Sequence, residues 1–153
     1  MAMEYINVVK DFAERTKRNL ENIRKASQNE SQAQVCEVTQ LINSMLGLLV
    51  FPQQQYFETI PKLRLSDLEA KGWPEIKQSP DFPENVGTLD RLMRYLRNAV
   101  AHFNMKFLTN DNHQISGVCV WNTNFNGQRT WMAELSAGEL EKITEHFIEM
   151  MAQ

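Results

Sequence analysis

Thr88-Leu89-Asp90-Arg91-Leu92-Met93-Arg94-Tyr95-Leu96-Arg97-Asn98-Ala99-Val100-Ala101-His102-Phe103-Asn104 is the stretch on which the reading of this chain turns. Leu89, Leu92, Leu96, Ala99 and Phe103 recur three and four residues apart, the spacing of one helical face, with Met93 and Val100 beside them. Projected at about 100° per residue, the core side centres on Leu92, Leu96 and Phe103. Arg94, Asn98 and His102 follow at i, i+4 and i+8 on the opposite side. Arg97 lies on the shoulder, roughly 140° around from His102 on an ideal helix. A solvated polar face is the plain account of such a pattern. Against it stands the run Arg91, Arg94, Arg97, three apart, with no glutamate among them.

Outward from this helix, three more segments carry the same periodicity. One runs over Met3–Lys25 through Ile6, Val9, Ala13, Thr16, Leu20 and Ile23. Another spans Ser31–Phe51, from a serine N-cap to the stop at Pro52, with Val35, Val38, Ile42, Met45 and Leu49 as its stripe. The last spans Ser136–Met151, opened by a Ser136/Glu139 capping box and carrying Leu140, Ile143, Phe147 and Met150. With Thr88–Asn104 these make four helices. Between the second and third lies a proline-bearing connection, Pro52 to Gly87, in which Ser66 and Glu69 form another capping box and Gly72 can end a short helix. Between the third and fourth, Ile115–Trp121 and Thr130–Leu135 read as strands about an Asn126-Gly127 hairpin. Internal repeats and low-complexity tracts are absent. The expected fold is mainly α: an up-and-down four-helix bundle with a small β-hairpin before the last helix, one domain over residues 1–153.

Composition bounds the function. With 42% apolar and 23% charged residues the chain is neither disordered nor a disulfide-stapled miniprotein. No apolar run approaches the ~18–20 residues of a membrane span, and Met1 to Lys10 alternates polar and apolar residues, so a soluble cytoplasmic protein is the expectation. Cys36 and Cys119 stand far apart; a reduced chain is the simplest reading and one disulfide the alternative. The net charge of -3 hides an asymmetry: Val86 to Thr109 carries +3 and Glu134 to Glu149 carries -4. No Cys-x-x-Cys or His-x-x-x-His spacing offers a metal site, phosphate loops are missing, and no cofactor is expected. His113, in Asn110-Asp111-Asn112-His113, reads as a solvated turn residue, and His146 as a partly exposed residue on the flank of the last helix.

Arg97-Asn98-Ala99-Val100-Ala101-His102 resembles the Arg-x(4–6)-His motif of HEPN domains (higher eukaryotes and prokaryotes nucleotide-binding), in the form with Asn directly after Arg. The surroundings are similar too: Leu46-Gly47-Leu48-Leu49-Val50-Phe51-Pro52, Tyr56, Ile60-Pro61, the hairpin around Ile115 to Trp121, and Glu14 to Ile23 of the first helix. The resemblance implies a metal-independent endoribonuclease of toxin or antiviral type, whose motifs meet across a homodimer. His102 would be general acid or base, since imidazole changes charge near neutral pH. Arg97 would clamp phosphate through two planar donors. Asn98 would orient the histidine or the RNA, and Arg94 would add backbone binding. An antitoxin or regulatory partner belongs to this picture. Some family toxins carry a modified tyrosine two residues beyond the histidine; here that position is Asn104. Arg15, Lys17 and Arg18 extend an RNA track or form a solvated face. The competing expectations are a non-catalytic HEPN module that binds nucleotide or protein, and a bundle that serves only oligomerisation.

Overall fold

A computed structural model describes residues 5–29, 37–50 and 57–152. In chain order the elements are α1 (Tyr5–Asn29), α2 (Glu37–Val50), α3 (Leu65–Glu69), β1 (Lys77–Gln78), α4 (Leu89–Ala101), β2 (Met105–Thr109), β3 (Ile115–Thr123), β4 (Arg129–Ser136) and α5 (Ala137–Ala152). The four strands form one antiparallel sheet in the order β1-β4-β3-β2. Helices α2, α4 and α5 pack against β3, α5 also reaches β4, and α1 closes over α2 and α5.

The four-helix bundle with a two-stranded hairpin is therefore corrected to an α/β fold, with five helices and a four-stranded sheet among the described residues. The difference begins at the end of α4. The helix stops at Ala101, not Asn104, because Phe103 takes a left-handed backbone with φ 55°. Phe103 N–H donates to the Val100 carbonyl at 3.1 Å and Asn104 N–H to the Ala99 carbonyl at 2.7 Å. These are the paired bonds of a Schellman ending, which satisfies two orphan carbonyls of the last turn. Phe103 thereby leaves the core seam and stands 72% exposed. The chain that follows pairs at once: Asn104 accepts from Trp121 N–H at 3.0 Å, and Met105 stands opposite Val120.

Alternation decides the sheet's inner face. Trp131, Ala133 and Leu135 of β4 are buried, as are Val118 and Val120, which stand opposite Leu135 and Ala133. They meet Leu89, Leu92, Met93 and Leu96 of α4 and Leu140, Ile143 and Phe147 of α5 in one core. Each such side chain contributes about 1.5–3 kcal/mol through burial. On the other face Lys106, Cys119, Glu134 and Lys77 form a row across the sheet. Cys119 is buried there, and desolvation pushes its thiol pKa up. Gly117 is required by close approach: a Cβ would lie 2.3 Å from the Leu135 carbonyl oxygen.

The expected Ser136/Glu139 capping box is present, with Ser136 N–H donating to Glu139 Oε2 at 2.7 Å and Glu139 N–H to Ser136 Oγ at 3.1 Å. The Ser66 box is not: α3 starts after Arg64 with no side-chain cap. Gly72, at φ 96°, lies just past that helix. Arg24 of α1 pairs with Glu141 and Glu145 of α5, a half-exposed tie of small energetic weight. The start of the first expected helix, Met3 and Glu4, and the stretches 30–36 and 51–56 with Cys36 and Tyr56 lie outside the described residues.

A five-residue repeat, absent from the sequence reading, shapes both hairpins. Asn110-Asp111-Asn112-His113-Gln114 joins β2 to β3, and Asn124-Phe125-Asn126-Gly127-Gln128 joins β3 to β4. In each, the first Asn Oδ1 accepts two backbone N–H groups at 3.0 Å, from the third and fifth residues. In each, the fourth residue donates to the first carbonyl and takes a left-handed backbone, His113 at φ 58° and Gly127 at φ 76°. This is a type I turn closed by a left-handed residue.

Candidate active site

The C-terminal end of α4 meets the second hairpin in an open cleft of about 380 Å³ lined by Asn98, His102, Asn104, Asn122, Thr123, Asn124 and Phe125. Helical spacing brings Asn98 and His102 to one side, and the Schellman ending turns Asn104 in beside them. His102 is the C-cap of α4 and its side chain is exposed, so it sits at the helix terminus, not along a helical face. The cleft's lining contains no lysine, arginine, aspartate or glutamate.

The other two expected site residues lie apart. Arg97 is half-buried, its guanidinium carbon 5.0 Å from the centroid of the Phe57 ring, a cation–π contact over a core aromatic. It does not line the cleft that holds His102. Arg94 is exposed on α4. Arg91, part of the basic strip, is tied down: it donates to Tyr95 Oη at 3.3 Å, and Tyr95 donates to Glu84 Oε2 at 2.7 Å. Thr130 donates to the same oxygen at 2.8 Å. The Tyr95 and Thr130 hydroxyls hold the Glu84 carboxyl below its ordinary pKa, while burial, then the bond to Glu84, raises the Tyr95 phenol. Within the strip, Arg91 is thus linked to a glutamate, through Tyr95, and that glutamate comes from the loop before α4.

His113 occupies the exposed tip of the first hairpin. His146 stacks on Trp73 with ring centroids 5.0 Å apart and its Nε2 3.4 Å from the Gly72 carbonyl, remote in role from the cleft. Among the described residues, no three His, Cys, Asp or Glu side chains come together as a metal-binding group. Sequence reasoning missed Asn104, Asn122, Thr123, Asn124 and Phe125 as lining residues. The signal that could have found them was the Asn-x-Asn-x-Gln repeat, which marks two tips of related geometry.

The Asn98 and His102 end of α4 thus opens on a polar cleft beside an antiparallel sheet packed against helices. The chain belongs to the HEPN family: the family model described as HEPN pEK499 p136 matches residues 1–153. No curated protein and no solved structure matches it. Membership is consistent with a nuclease-type or nucleotide-binding module. No described helix is long and apolar enough to cross a membrane.

Proposed function

We propose that the protein is a metal-independent endoribonuclease that acts as a homodimer, of the toxin or antiviral-defence type, with a cognate antitoxin or regulator. The observation that carries the reading is His102, exposed at a helix end in the same cleft as Asn98, within a segment that resembles the Arg-x(4–6)-His motif. The RNA 2′-oxygen attacks the adjacent phosphorus, the bond to the 5′-oxygen breaks, and a 2′,3′-cyclic phosphate remains. His102 takes the proton from the 2′-hydroxyl or gives one to the leaving 5′-oxygen. Asn98 orients the imidazole or the sugar. Arg97, half-buried and packed over Phe57, supplies fixed positive charge to the phosphorane. In that homodimer a two-fold axis beside α4 brings the two motif-bearing helix ends together in one groove, because a symmetric interface sets each patch against its own copy. Arg94, exposed on α4, holds the RNA backbone beyond the cut.

The test is digestion of RNA by purified protein in EDTA. His102→Ala should lose about 10²–10⁴ in rate and Arg97→Ala about 10²–10³; DNA should survive. Cutting that either alanine variant performs at the parental rate ends the proposal. The placement of Arg97 outside the His102 cleft favours, as the second reading, a non-catalytic module that binds nucleotide or protein, for which no variant cuts and binding alone is seen.

A further inference from the structure

We infer that the cleft beside His102 is a subsite for one unpaired nucleobase of single-stranded RNA, with Phe125 as its stacking platform and the Asn98 and Asn104 amides as readers of its edge. Its place in catalysis rests on the ribonuclease reading, but its chemistry stands on five observations. Phe125 is 109% exposed, on a turn whose twin carries Asp111 at the same position. The turn's hydrogen bonds come from Asn124, Asn126, Gly127 and Gln128, so the fold makes no use of the ring. An aromatic side chain left in water forgoes the stabilisation of burial, a deficit that a ligand lying on it recovers.

The lining is rich in amides and contains no lysine, arginine, aspartate or glutamate. Amides offer donor and acceptor side by side, which complements a base edge; a phosphate offers acceptors only. Two of the four asparagines already have structural work. Asn124 holds the turn, and Asn122 donates to Thr130 Oγ1 at 3.2 Å. Asn98 and Asn104 make no side-chain hydrogen bond among the described residues and are left to meet a ligand. The volume, about 380 Å³, falls in the small-ligand range. A base can offer both its face and its pairing edge only when unpaired, which selects single strands over duplex. The base next to the scissile phosphate would then set where His102 works, making Phe125 a positioning residue.

The experiment is fluorescence anisotropy with short single-stranded DNA oligomers, which carry bases but no 2′-hydroxyl and so report binding whether or not RNA is cut. Phe125→Ala should weaken binding about tenfold, the loss expected for one base–aromatic stack. Phe125→Tyr should restore it, and Asp111→Ala, on the twin turn, should bind as the parent does. An abasic oligomer should bind the parent as weakly as the normal oligomer binds Phe125→Ala. Binding unchanged by Phe125→Ala, or unchanged by removing the bases, overturns the inference. So does a Phe125→Ala protein that loses its dimer but keeps its oligomer affinity, since the ring then serves an interface between copies. Phe125-dependent binding without RNA cleavage keeps the subsite and discards the ribonuclease. RNA cleavage whose KM ignores Phe125→Ala does the reverse.

Discussion

The two hairpin turns use one backbone and differ in what they display. Asn110 and Asn124 each gather two amides, Gln114 and Gln128 each close the loop, and both turns carry an asparagine third. Positions two and four differ: Asp111 and His113 on the first, Phe125 and Gly127 on the second. The first tip bears a charged residue and a histidine strained into the left-handed region; the second bears a bare aromatic and a glycine that relieves that strain. Residues common to both turns serve the fold, and residues that differ are available for function. The second turn, unlike its twin, lines the cleft that holds His102.

The largest expected contrast sets the two histidines against each other. His102→Ala should lower RNA cleavage by about 10²–10⁴, whereas His113→Ala, on the first turn, should leave it unchanged. Equal losses measured by RNA digest would break the comparison. Next in size is Gly117→Ala on β3, the strand both hairpins share. Its methyl meets the Leu135 carbonyl, so β3 and β4 must part, at a loss of about 1–3 kcal/mol in urea unfolding.

Asn110→Ala and Asn124→Ala should each cost about 1–2 kcal/mol, because each leaves two turn amides without their acceptor. Only Asn124→Ala should also weaken oligomer binding. A smaller effect reverses sign between the twins: His113→Gly should stabilise and Gly127→Ala destabilise, each by about 1 kcal/mol in thermal unfolding. The smallest is a pH effect. Glu84, whose carboxyl is held below its ordinary pKa, ties Thr130 beside the second turn to Tyr95 of α4. A lowered carboxylate contributes stability that is complete above its unfolded pKa and is lost as pH falls through the folded value. Acid should therefore lower the amide protection factor at position 84, whose N–H donates to the Thr130 carbonyl, before it does so at Lys106, and Glu84→Gln should remove the difference.

Most of the helical scaffold was legible because three- and four-residue spacing survives in a single chain: α4, α5 and the described parts of α1 and α2 fall within a few residues of expectation. The end of α4 was not, since Phe103 continues the apolar spacing and only the backbone reveals that it turns left-handed there. Met105–Thr109 was hidden for the same reason, being short and directly behind a helix whose apolar spacing runs on through Phe103. Lys77–Gln78 is two residues between prolines, too short for alternation to register. Of the site, Asn98 and His102 were legible as i and i+4. Arg97 was placed on the shoulder, and the structure adds its contact with Phe57, a long-range pairing that helical spacing cannot encode. The cleft's far wall comes from strands that local sequence could not bring to α4.

Cys119 turns the middle of the sheet into a clock. Its sulfur is buried in the row between Lys106 and Glu134 on neighbouring strands and desolvation raises its thiol pKa, so a thiol reagent in native buffer must wait for an opening that uncovers this face of β3. When reclosing outruns modification, the labelling rate is the opening equilibrium multiplied by the free-thiol rate, the same relation that governs amide exchange. A Cys36→Ser chain would carry this single timer. Bound oligomer that bridges α4 and the second hairpin should slow it, giving a readout of ligand-induced sheet rigidity at a cleft lined by no tryptophan or tyrosine.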